Sequence, residues 1–376
     1  MKIVVNAVTV KYGGGLTVTL NFLRAAAITR GEDELFLITA RGTGMEGYTV
    51  GGNVAVVPAW KMKYLFRPWL DHVYLRRIIK AINPDVIISM GNLPLPVKGC
   101  QVILFDNPFG TLRSFNNFRL TLLDKLRHRL RNYFFVKRIK YLNSIIFQTE
   151  IEQRKFLEKY TRVKVRQWII PNPPGLLTQS VTPAPSLRMK KDEGERFVVA
   201  FTRYYPHKNL EILLHVAELI RDRYRIKILL TIQPGQHPHA ARMLRLIRKR
   251  GLENVIINTG EIAPDQISHL YRLSDALVLP TLLESFTSTY TDAMLHGVPV
   301  LTSDRDFARH ICGDAAWYFN PADPHDILKT ICCCFENQQE RQKKIERGLE
   351  MIRTKYPDWF SCARQLLDLA STNNQE

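Results

Sequence analysis

The sequence predicts an α/β protein with two doubly wound parallel sheets. Short apolar runs alternate with helical segments along both halves of the chain, an order that places parallel strands side by side with helices on both faces. The 376 residues are 45% hydrophobic, enough to bury two cores. Residues 175–196 lack apolar periodicity and separate the halves. We predict a first domain at 1–172, a linker at 173–195, a second domain at 196–355 and a terminal segment at 356–376.

In the first half, a predicted strand at residues 2–7 leads to three glycines, 13–15, that open a helix over 16–29. The glycines allow a ligand to approach the backbone closely, or they simply make a tight turn, and both interpretations stay open. A second helix is predicted over 68–82, with Pro68 in its first turn. Further strands are predicted at 35–39, 54–57, 85–89, 102–105 and 144–148.

The second half shows the same alternation. A predicted strand at 197–201 is followed by a loop with Arg203 and Lys208 and then by a helix over 210–221. Two cations at a strand-to-helix turn suit a diphosphate, because the helix N-terminus also favours anions; two solvated surface cations are the alternative. Further strands are predicted at 226–232 and 255–259.

Residues 275–304 are the most informative stretch. A buried parallel strand is predicted at 276–279 and a second strand at 300–302. Between them lies a polar loop, and Thr287, Ser288 and Thr289 offer three N-caps for a helix that runs to about residue 296. The loop therefore lies at the carboxyl edge of a sheet, where doubly wound sheets bind ligands and a helix N-terminus favours an anion.

Two carboxylates, Glu284 and Asp292, are eight positions apart across this loop and helix. They are candidates for a functional pair. The alternatives are structural: Asp292 follows Thr289 by three residues and could complete a capping box, and Glu284 could be a solvated loop charge.

The same run resembles the signature of retaining nucleotide-sugar glycosyltransferases of family 4 (group 1), as found in bacterial surface-polysaccharide synthesis. In that family two glutamates separated by seven residues bracket an S-F-G-x-P segment, and E-A-M and G-x-P-V follow. Here the run reads Glu284-Ser285-Phe286-Thr287, then Asp292-Ala293-Met294, then Gly297 to Val300. Two residues depart from the pattern: the second glutamate is Asp292, and Thr287 replaces a glycine. Arg203 and Lys208 resemble the basic pair of the family's G-R-x-x-x-x-K-[GN] motif.

This resemblance implies the GT-B fold, in which two Rossmann-like domains face each other across a cleft. Glu284 would contact the donor hexose and Asp292 the ribose hydroxyls. Arg203 and Lys208 would hold the diphosphate and stabilise its charge as the bond breaks. The catalytic residues would therefore be Glu284, Arg203 and Lys208. The residues that line the binding site would be Gly14, Gly15, Arg203, Lys208, Gly260, Glu261, Ile262, Glu284, Ser285, Phe286, Thr287, Ser288 and Asp292.

The resemblance extends to residues 312–321 as the last strand and to 356–369 as a closing helix that crosses back to the first domain. It is weaker after the strand at 102–105, where many relatives have a histidine facing the donor sugar. This chain has Phe105, Asp106 and Asn107 there. No catalytic histidine is assigned, and whether Asp106 or Asn107 takes its role stays open.

The implied reaction needs a nucleotide-diphosphate sugar, a glycan or lipid-linked glycan acceptor, and no further cofactor. We expect it to be independent of metal ions, because Arg203 and Lys208 would do the work that a metal does in other enzymes. The leaving phosphate itself would help to deprotonate the acceptor. Asp292 is one methylene shorter than glutamate, so its ribose contact would be longer or water-bridged.

The net charge of +18 lies almost entirely in the first half. Residues 1–170 hold 27 Lys and Arg against 11 acids, and residues 111–140 hold nine cations against the single acid Asp124. At helical spacing, an apolar stripe separates from the cations. We predict that residues 111–140 bind an anionic membrane surface peripherally at its cytoplasmic face. The alternative is a helix whose stripe packs on the sheet and whose cations are solvated. The members of the stripe are Leu122, Leu126, Leu130, Tyr133 and Phe134.

Two rival classes of function are a nucleic-acid-binding protein or nucleic-acid glycosyltransferase, and an inactive scaffold. No aromatic-interleaved basic motif or zinc module supports the first, so we expect no nucleic-acid partner. The second would follow from Asp292, Thr287 and the missing histidine. The six cysteines show no zinc spacing, and we interpret them as reduced, mostly buried and cytosolic. No secretory signal or membrane-spanning run is predicted.

Overall fold

The computed structural model describes residues 1–11, 13–41, 45, 54–59, 69–115, 118–175, 177 and 182–375. The chain divides into two compact units. The first unit comprises Met1–Pro173 with Pro357–Glu376, and the second comprises Pro174–Tyr356. Within each unit, the described strands form one sheet in which all recorded pairs are parallel. The predicted α/β class and doubly wound sheets are therefore confirmed.

The sheet of the first unit has the order β3-β2-β1-β4-β5-β6-β7. Its strands are β1 (Lys2–Asn6), β2 (Glu34–Ala40), β3 (Val54–Ala59), β4 (Val86–Ser89), β5 (Cys100–Phe105), β6 (Ser144–Phe147) and β7 (Arg166–Ile169). All the predicted strands of this half are present. Strand β7 was not predicted, because Trp168 and Ile169 are about 40% exposed and an edge strand does not need a continuous apolar run.

The sheet of the second unit has the order β10-β9-β8-β11-β12-β13. Its strands are β8 (Arg196–Ala200), β9 (Ile226–Leu230), β10 (Ile256–Asn258), β11 (Ala276–Leu279), β12 (Val300–Ser303) and β13 (Ala316–Phe319). Side chains along β8 alternate between the two faces: Val198 belongs to the core on one face, and Phe197 and Val199 belong to the core on the other. Burial on both faces explains the continuous apolar runs of these strands.

The helices connect the strands on both faces of the sheets. In chain order they are α1 (Gly13–Thr29), α2 (Arg76–Ile82), α3 (Pro108–Thr111), α4 (Leu122–Arg138), α5 (Glu150–Lys159), α6 (Ile212–Ile220), α7 (Pro238–Lys249), α8 (Ile267–Leu273), α9 (Ser288–Leu295), α10 (Asp306–Cys312), α11 (Pro324–Glu336), α12 (Gln338–Lys355) and α13 (Trp359–Gln375). Among the described residues, none of the helices has the length and apolar character needed to cross a membrane.

Two helix starts differ from the predictions. Gly13–Gly15 form the first turn of α1 instead of a separate loop, and a Cβ placed on Gly14 would meet nothing within 4 Å. The predicted helix over 68–82 begins as a π-helical stretch, Leu70–Leu75, that continues into α2. Pro68 lies outside the described residues.

The end of the chain belongs to the first unit. Helix α13 packs against α1, β4 and β5, and its Leu366, Leu367 and Ala370 are buried. Arg30, which directly follows α1, forms a salt bridge with Asp368 of α13. Residues from the predicted linker also pack, because Leu187 joins the core of the second unit. All six cysteines are free, and Cys100, Cys312, Cys334 and Cys362 are buried.

Candidate functional site

The candidate site of the second unit lies where its strand order reverses. Strands β8 and β11 are neighbours in the sheet, but the chain continues from β8 towards β9 and from β11 towards β12. The loops after β8 and β11 therefore diverge at the carboxyl edge and leave a crevice between them. Arg203 and Lys208 follow β8, and Glu284 follows β11. The topology thus brings the two predicted motifs to one place.

Lys208 and Glu284 form a buried ion pair in this crevice. The Lys208 Nζ donates to the Glu284 Oε1 at 2.5 Å, and the two residues are 8% and 9% exposed. The Thr281 hydroxyl donates to the same oxygen at 2.7 Å. A solvated loop charge would not be buried in this way, so that alternative for Glu284 is wrong. Because burying two ions costs several kcal/mol each, such a pair is a candidate for function.

The backbone around Lys208 fixes this pair. Residues Pro206–Lys208 make one turn of 3₁₀-helix, and Asn209 has a left-handed backbone with φ 53°. The Asn209 side chain donates to the Pro321 carbonyl at 2.8 Å. The His207 carbonyl accepts from the Leu282 main-chain N–H at 2.8 Å, which joins the loop after β8 to the loop after β11.

Arg203 meets Glu261 rather than Glu284. Its guanidinium forms a salt bridge with the Glu261 carboxylate, which brings together the loops after β8 and β10. Glu261 follows Gly260, whose φ of 76° favours glycine and whose missing Cβ faces open space. Ile262 is half-buried beside them. Arg203, Gly260, Glu261 and Ile262 therefore form a cluster at the same sheet edge as the Lys208–Glu284 pair.

Asp292 is buried on α9, and its Oδ1 accepts from the Gly175 main-chain N–H at 2.7 Å. The N-cap of α9 is Thr287, without a side-chain capping bond, so the capping-box alternative for Asp292 is wrong. The reason is register: with Thr287 as N-cap, the N3 position is Tyr290, and Asp292 lies two residues beyond it. Burial raises the pKa of Asp292 to about 7, and the hydrogen bond from Gly175 offsets part of the shift.

The remaining motif residues surround the start of α9. Ser285, Phe286 and Thr287 are buried, and Ser288 is half-buried. The Phe286 side chain belongs to the core and lies at a ring distance of 6.2 Å from Tyr356. Phe286 therefore anchors the loop to the core of the second unit through its side chain.

This region matches a known family. Residues 188–351 match the family described as glycosyl transferases group 1. They form a group 1 glycosyltransferase domain. The chain is 30% identical over 151 residues to the serotype-specific mannosyltransferase WbdA of Escherichia coli, a stretch covering 39% of this chain and 18% of WbdA. It is 25% identical over 135 residues to the O-antigen chain mannosyltransferase RfbU of Salmonella typhimurium, covering 36% of this chain and 37% of RfbU. The matches thus span less than half of these relatives.

Solved structures show that the whole chain has the GT-B fold. Sucrose-phosphate synthase from Thermosynechococcus elongatus superposes with a TM-score of 0.80 at 14% identity, covering 99% of this chain and 98% of that one. WaaG, a glycosyltransferase involved in lipopolysaccharide biosynthesis, gives 0.73 at 16% identity, covering 99% and 100%. Anabaena HepE in complex with UDP-glucose gives 0.75 at 16% identity with the same coverage.

Outside the group 1 domain, the first unit carries the other predicted residues. Gly14 and Gly15 lie at the start of α1. Asp106 and Asn107 follow β5, where the Asp106 main-chain N–H donates to the Asn92 Oδ1 at 2.6 Å. Arg131 donates to the Asn107 Oδ1 at 2.7 Å.

Glu152, which the sequence analysis did not single out, is buried near Asp106. Burial raises the pKa of Glu152 well above its usual range, the negative charge of Asp106 raises it further, and the main-chain amides of Asn107 and Gln148 offset part of the shift. In sequence, Thr149 and Glu152 match a capping box. The Thr149 hydroxyl does accept from the Glu152 N–H at 3.2 Å, so the motif pointed only to a structural role.

The basic segment, residues 111–140, contains α4. Its N-terminus has a capping box in which Thr121 and Asp124 bond to each other's main-chain N–H groups at 3.1 Å. Of α4's residues, only Phe135 and Arg138 are buried, whereas Leu122 is 86% exposed and Leu126 52% exposed. The predicted alternative, an apolar stripe packed on the sheet, is therefore wrong.

Proposed function

We propose that the chain transfers a hexose from a nucleotide-diphosphate donor to an acceptor hydroxyl with retention of anomeric configuration. The acceptor would be a growing surface polysaccharide or a lipid-linked glycan. The observation that carries the proposal is the buried Lys208–Glu284 pair at the point where the strand order reverses. WbdA and RfbU are named as mannosyltransferases, and HepE was solved with UDP-glucose, which supports a hexose donor.

In this proposal the donor diphosphate binds the two cations, Lys208 and Arg203. The phosphate oxygens replace Glu284 at the Lys208 ammonium and Glu261 at the Arg203 guanidinium. The released Glu284 carboxylate then accepts hydrogen bonds from the hydroxyls of the hexose. Asp292 lies on the same group 1 domain and would accept from the ribose hydroxyls. The diphosphate then supplies the negative charge at both cations, the hexose hydroxyls take over the hydrogen bonds of the displaced Glu284, and water can solvate the partly exposed Glu261.

The chemical step would break the bond between the anomeric carbon and the phosphate oxygen. The electron pair leaves with the diphosphate, where Arg203 and Lys208 stabilise it. The acceptor oxygen bonds to the anomeric carbon on the same face, and its proton passes to the leaving phosphate. No metal ion is needed in this step, so we expect full activity in EDTA.

We also propose that the chain binds the cytoplasmic face of a membrane through its basic segment. The support is that α4 exposes both leucines and cations on one helix. Anionic lipid would attract such a surface by about 1 kcal/mol for each cation near it.

The proposal is tested with a panel of UDP-, GDP-, ADP- and dTDP-hexoses. We expect one donor to stabilise the full chain against heat and to be slowly hydrolysed, and the product anomer to match the donor anomer by NMR. Glu284→Gln should slow hydrolysis while leaving nucleotide binding intact, and Glu253→Gln, on the exposed surface of the same unit, serves as the control. Failure of every donor to bind would refute the proposal, and binding without turnover would indicate an inactive member of the family.

A further inference from the structure

A cationic pocket lies in the first unit, apart from the group 1 domain. It has a volume of about 420 Å³ and is formed by the stretch that follows α3, one face of α4 and the end of α5. Its charged and aromatic lining comprises Arg113, Phe115, Lys125, Arg129 and Lys159, and Asn132 adds a polar amide. None of the described lining residues is acidic. Four cations therefore face a cavity of a size that holds a small ligand.

Hydrogen bonds to the main chain hold two cations of the pocket, Lys159 and Arg113, in place. The Lys159 Nζ donates to the carbonyls of Gly110 and Leu112 at 2.8 and 2.6 Å, and Arg113 donates to the Glu158 carbonyl at 3.2 Å. These bonds use main-chain oxygens, so they leave the cationic charge unneutralised. The neighbouring acids are engaged elsewhere: Glu158 lies 3.9 Å from Arg154, and Asp124 caps α4.

One helix joins this pocket to the exposed leucines. Lys125 and Arg129 are four residues apart and so share a face of α4. Each follows an exposed leucine, Leu122 or Leu126, by three residues and is therefore its neighbour on the helix surface. An anionic group in the pocket would have an apolar surface beside it.

We propose that this pocket binds the phosphate or diphosphate group of a lipid-borne acceptor, with the lipid lying along the leucines of α4. The inference rests on the proposed function, because it names the acceptor as a lipid phosphate or diphosphate. Arg113, Lys125, Arg129 and Lys159 supply charge-assisted hydrogen bonds to phosphate oxygens. Phe115 forms an apolar wall of the same pocket.

The test is equilibrium dialysis of radiolabelled inorganic pyrophosphate against the full chain at physiological salt. The pocket variant replaces Arg113, Lys125 and Arg129 by Ser, and the control variant replaces Arg127, Lys137 and Lys140, three exposed cations of the same segment. We expect wild type to bind two pyrophosphates, one in the pocket and one at Arg203 and Lys208. The pocket variant should lose one of them or weaken it at least tenfold, and the control variant should change by less than threefold.

Equal losses in both variants would show diffuse attraction and overturn the proposal, as would unchanged binding in the pocket variant. If the triple variant fails to fold, the single change Arg129→Ser replaces it, with Arg127→Ser as control.

A second experiment measures flotation with phosphatidylcholine vesicles, with and without phosphatidylglycerol. Vesicle binding that fails in the pocket variant alone, while pyrophosphate binding persists, would assign the pocket to bilayer headgroups and overturn the assignment to the acceptor.

Donor binding separates this inference from the proposed function. If no nucleotide sugar stabilises wild type but the pocket still takes pyrophosphate, the glycosyltransferase proposal fails and the phosphate site stands. If nucleotide sugars bind but pyrophosphate does not bind in the pocket, the phosphate site is refuted and the glycosyltransferase proposal stands.

Discussion

Lys208 and Glu284 are each buried with a partner of opposite charge, and removing either one would lower the free energy of unfolding. The Glu284 Oε1 accepts hydrogen bonds from both the Lys208 ammonium and the Thr281 hydroxyl. A stable core would be served as well by apolar residues of the same volume. An ion pair can instead exchange partners: an anionic ligand can replace Glu284 at the Lys208 ammonium when polar groups of the same ligand take over the Glu284 carboxylate.

Replacing Lys208 by Ala should destabilise the second unit by about 3–5 kcal/mol, because it leaves Glu284 buried without its counter-ion. Nucleotide binding should be lost at the same time. The double variant Lys208→Met with Glu284→Gln removes both charges and should regain most of the stability but no activity. Urea unfolding followed by circular dichroism measures this. A double variant as unstable as the single one would mean that packing, and not charge, holds this loop.

Asp292 makes stability depend on pH. Its pKa is raised from 3.8 to about 7 in the fold, so the folded chain binds a proton that the unfolded chain has released. Stability should therefore fall as the pH rises from about 4 to about 7, and stay level above that range. Glu152 contributes in the same direction because burial raises its pKa as well.

Asp292→Asn keeps an oxygen for the Gly175 N–H but cannot ionise. We expect it to be more stable than wild type by about 1 kcal/mol or more at about pH 8, and closest to wild type at or below about pH 4. Chemical unfolding at both pH values is the measurement, with the exposed Asp222→Asn as control. An Asp292→Asn curve parallel to wild type would show that this carboxylate is already charged in the fold at low pH.

At the scale of secondary-structure elements, α4 is unusual because its cations are not equivalent. Arg138 is buried in a salt bridge with Asp71 at 2.5 Å, and Arg131 holds Asn107. These two residues support the first unit. The cations of α4 that can contact an anionic membrane are the exposed ones, such as Arg127 and Lys137.

A membrane test should therefore spare Arg131 and Arg138. Replacing Arg119, Arg127, Lys137 and Lys140 by Ser should reduce flotation with anionic liposomes severalfold, since each cation is worth about 1 kcal/mol near the surface. The matched control removes four exposed cations of α7: Arg242, Arg245, Arg248 and Lys249. Binding that does not depend on salt would show that the attraction is not electrostatic. An equal fall in the control would assign the effect to net charge rather than to the basic segment.

At the scale of the whole molecule, the two ends of the chain belong to one unit. Helix α13 buries Ala363, Leu366, Leu367 and Ala370, and it covers α1 together with strands β4 and β5. The first unit is therefore made of two distant segments of sequence, and the second is continuous.

Removing residues 357–376 should unfold or aggregate the first unit, because it exposes the apolar surface under α13. Removing only 373–376 is the control and should leave stability unchanged within about 0.5 kcal/mol. Limited proteolysis is the measurement: in the longer deletion, we expect cleavage throughout 1–173 and a resistant fragment that contains 188–351. Equal resistance of both units would contradict this assignment of α13.

Much of this protein follows from the sequence by itself. The strands buried on both faces are continuous apolar runs, and the turn signals between them are local, so the α/β class and most strands could be predicted. The edge strand β7 could not, because its residues are only partly buried. The motifs around Arg203, Lys208 and Glu284 are also local patterns, and they led to the group 1 domain before any contact was known.

Only the tertiary structure decided how these residues are paired. Asp292 is held by Gly175, which is 117 positions away in sequence, and Lys208 is 76 positions from Glu284. The same holds for α4, whose helical period predicts a stripe but not whether anything covers it. Partners and burial depend on contacts between distant segments, and these depend on how the strands are ordered in the sheet. A local pattern determines which side chains share a face, whereas the packing of the whole chain determines what that face meets.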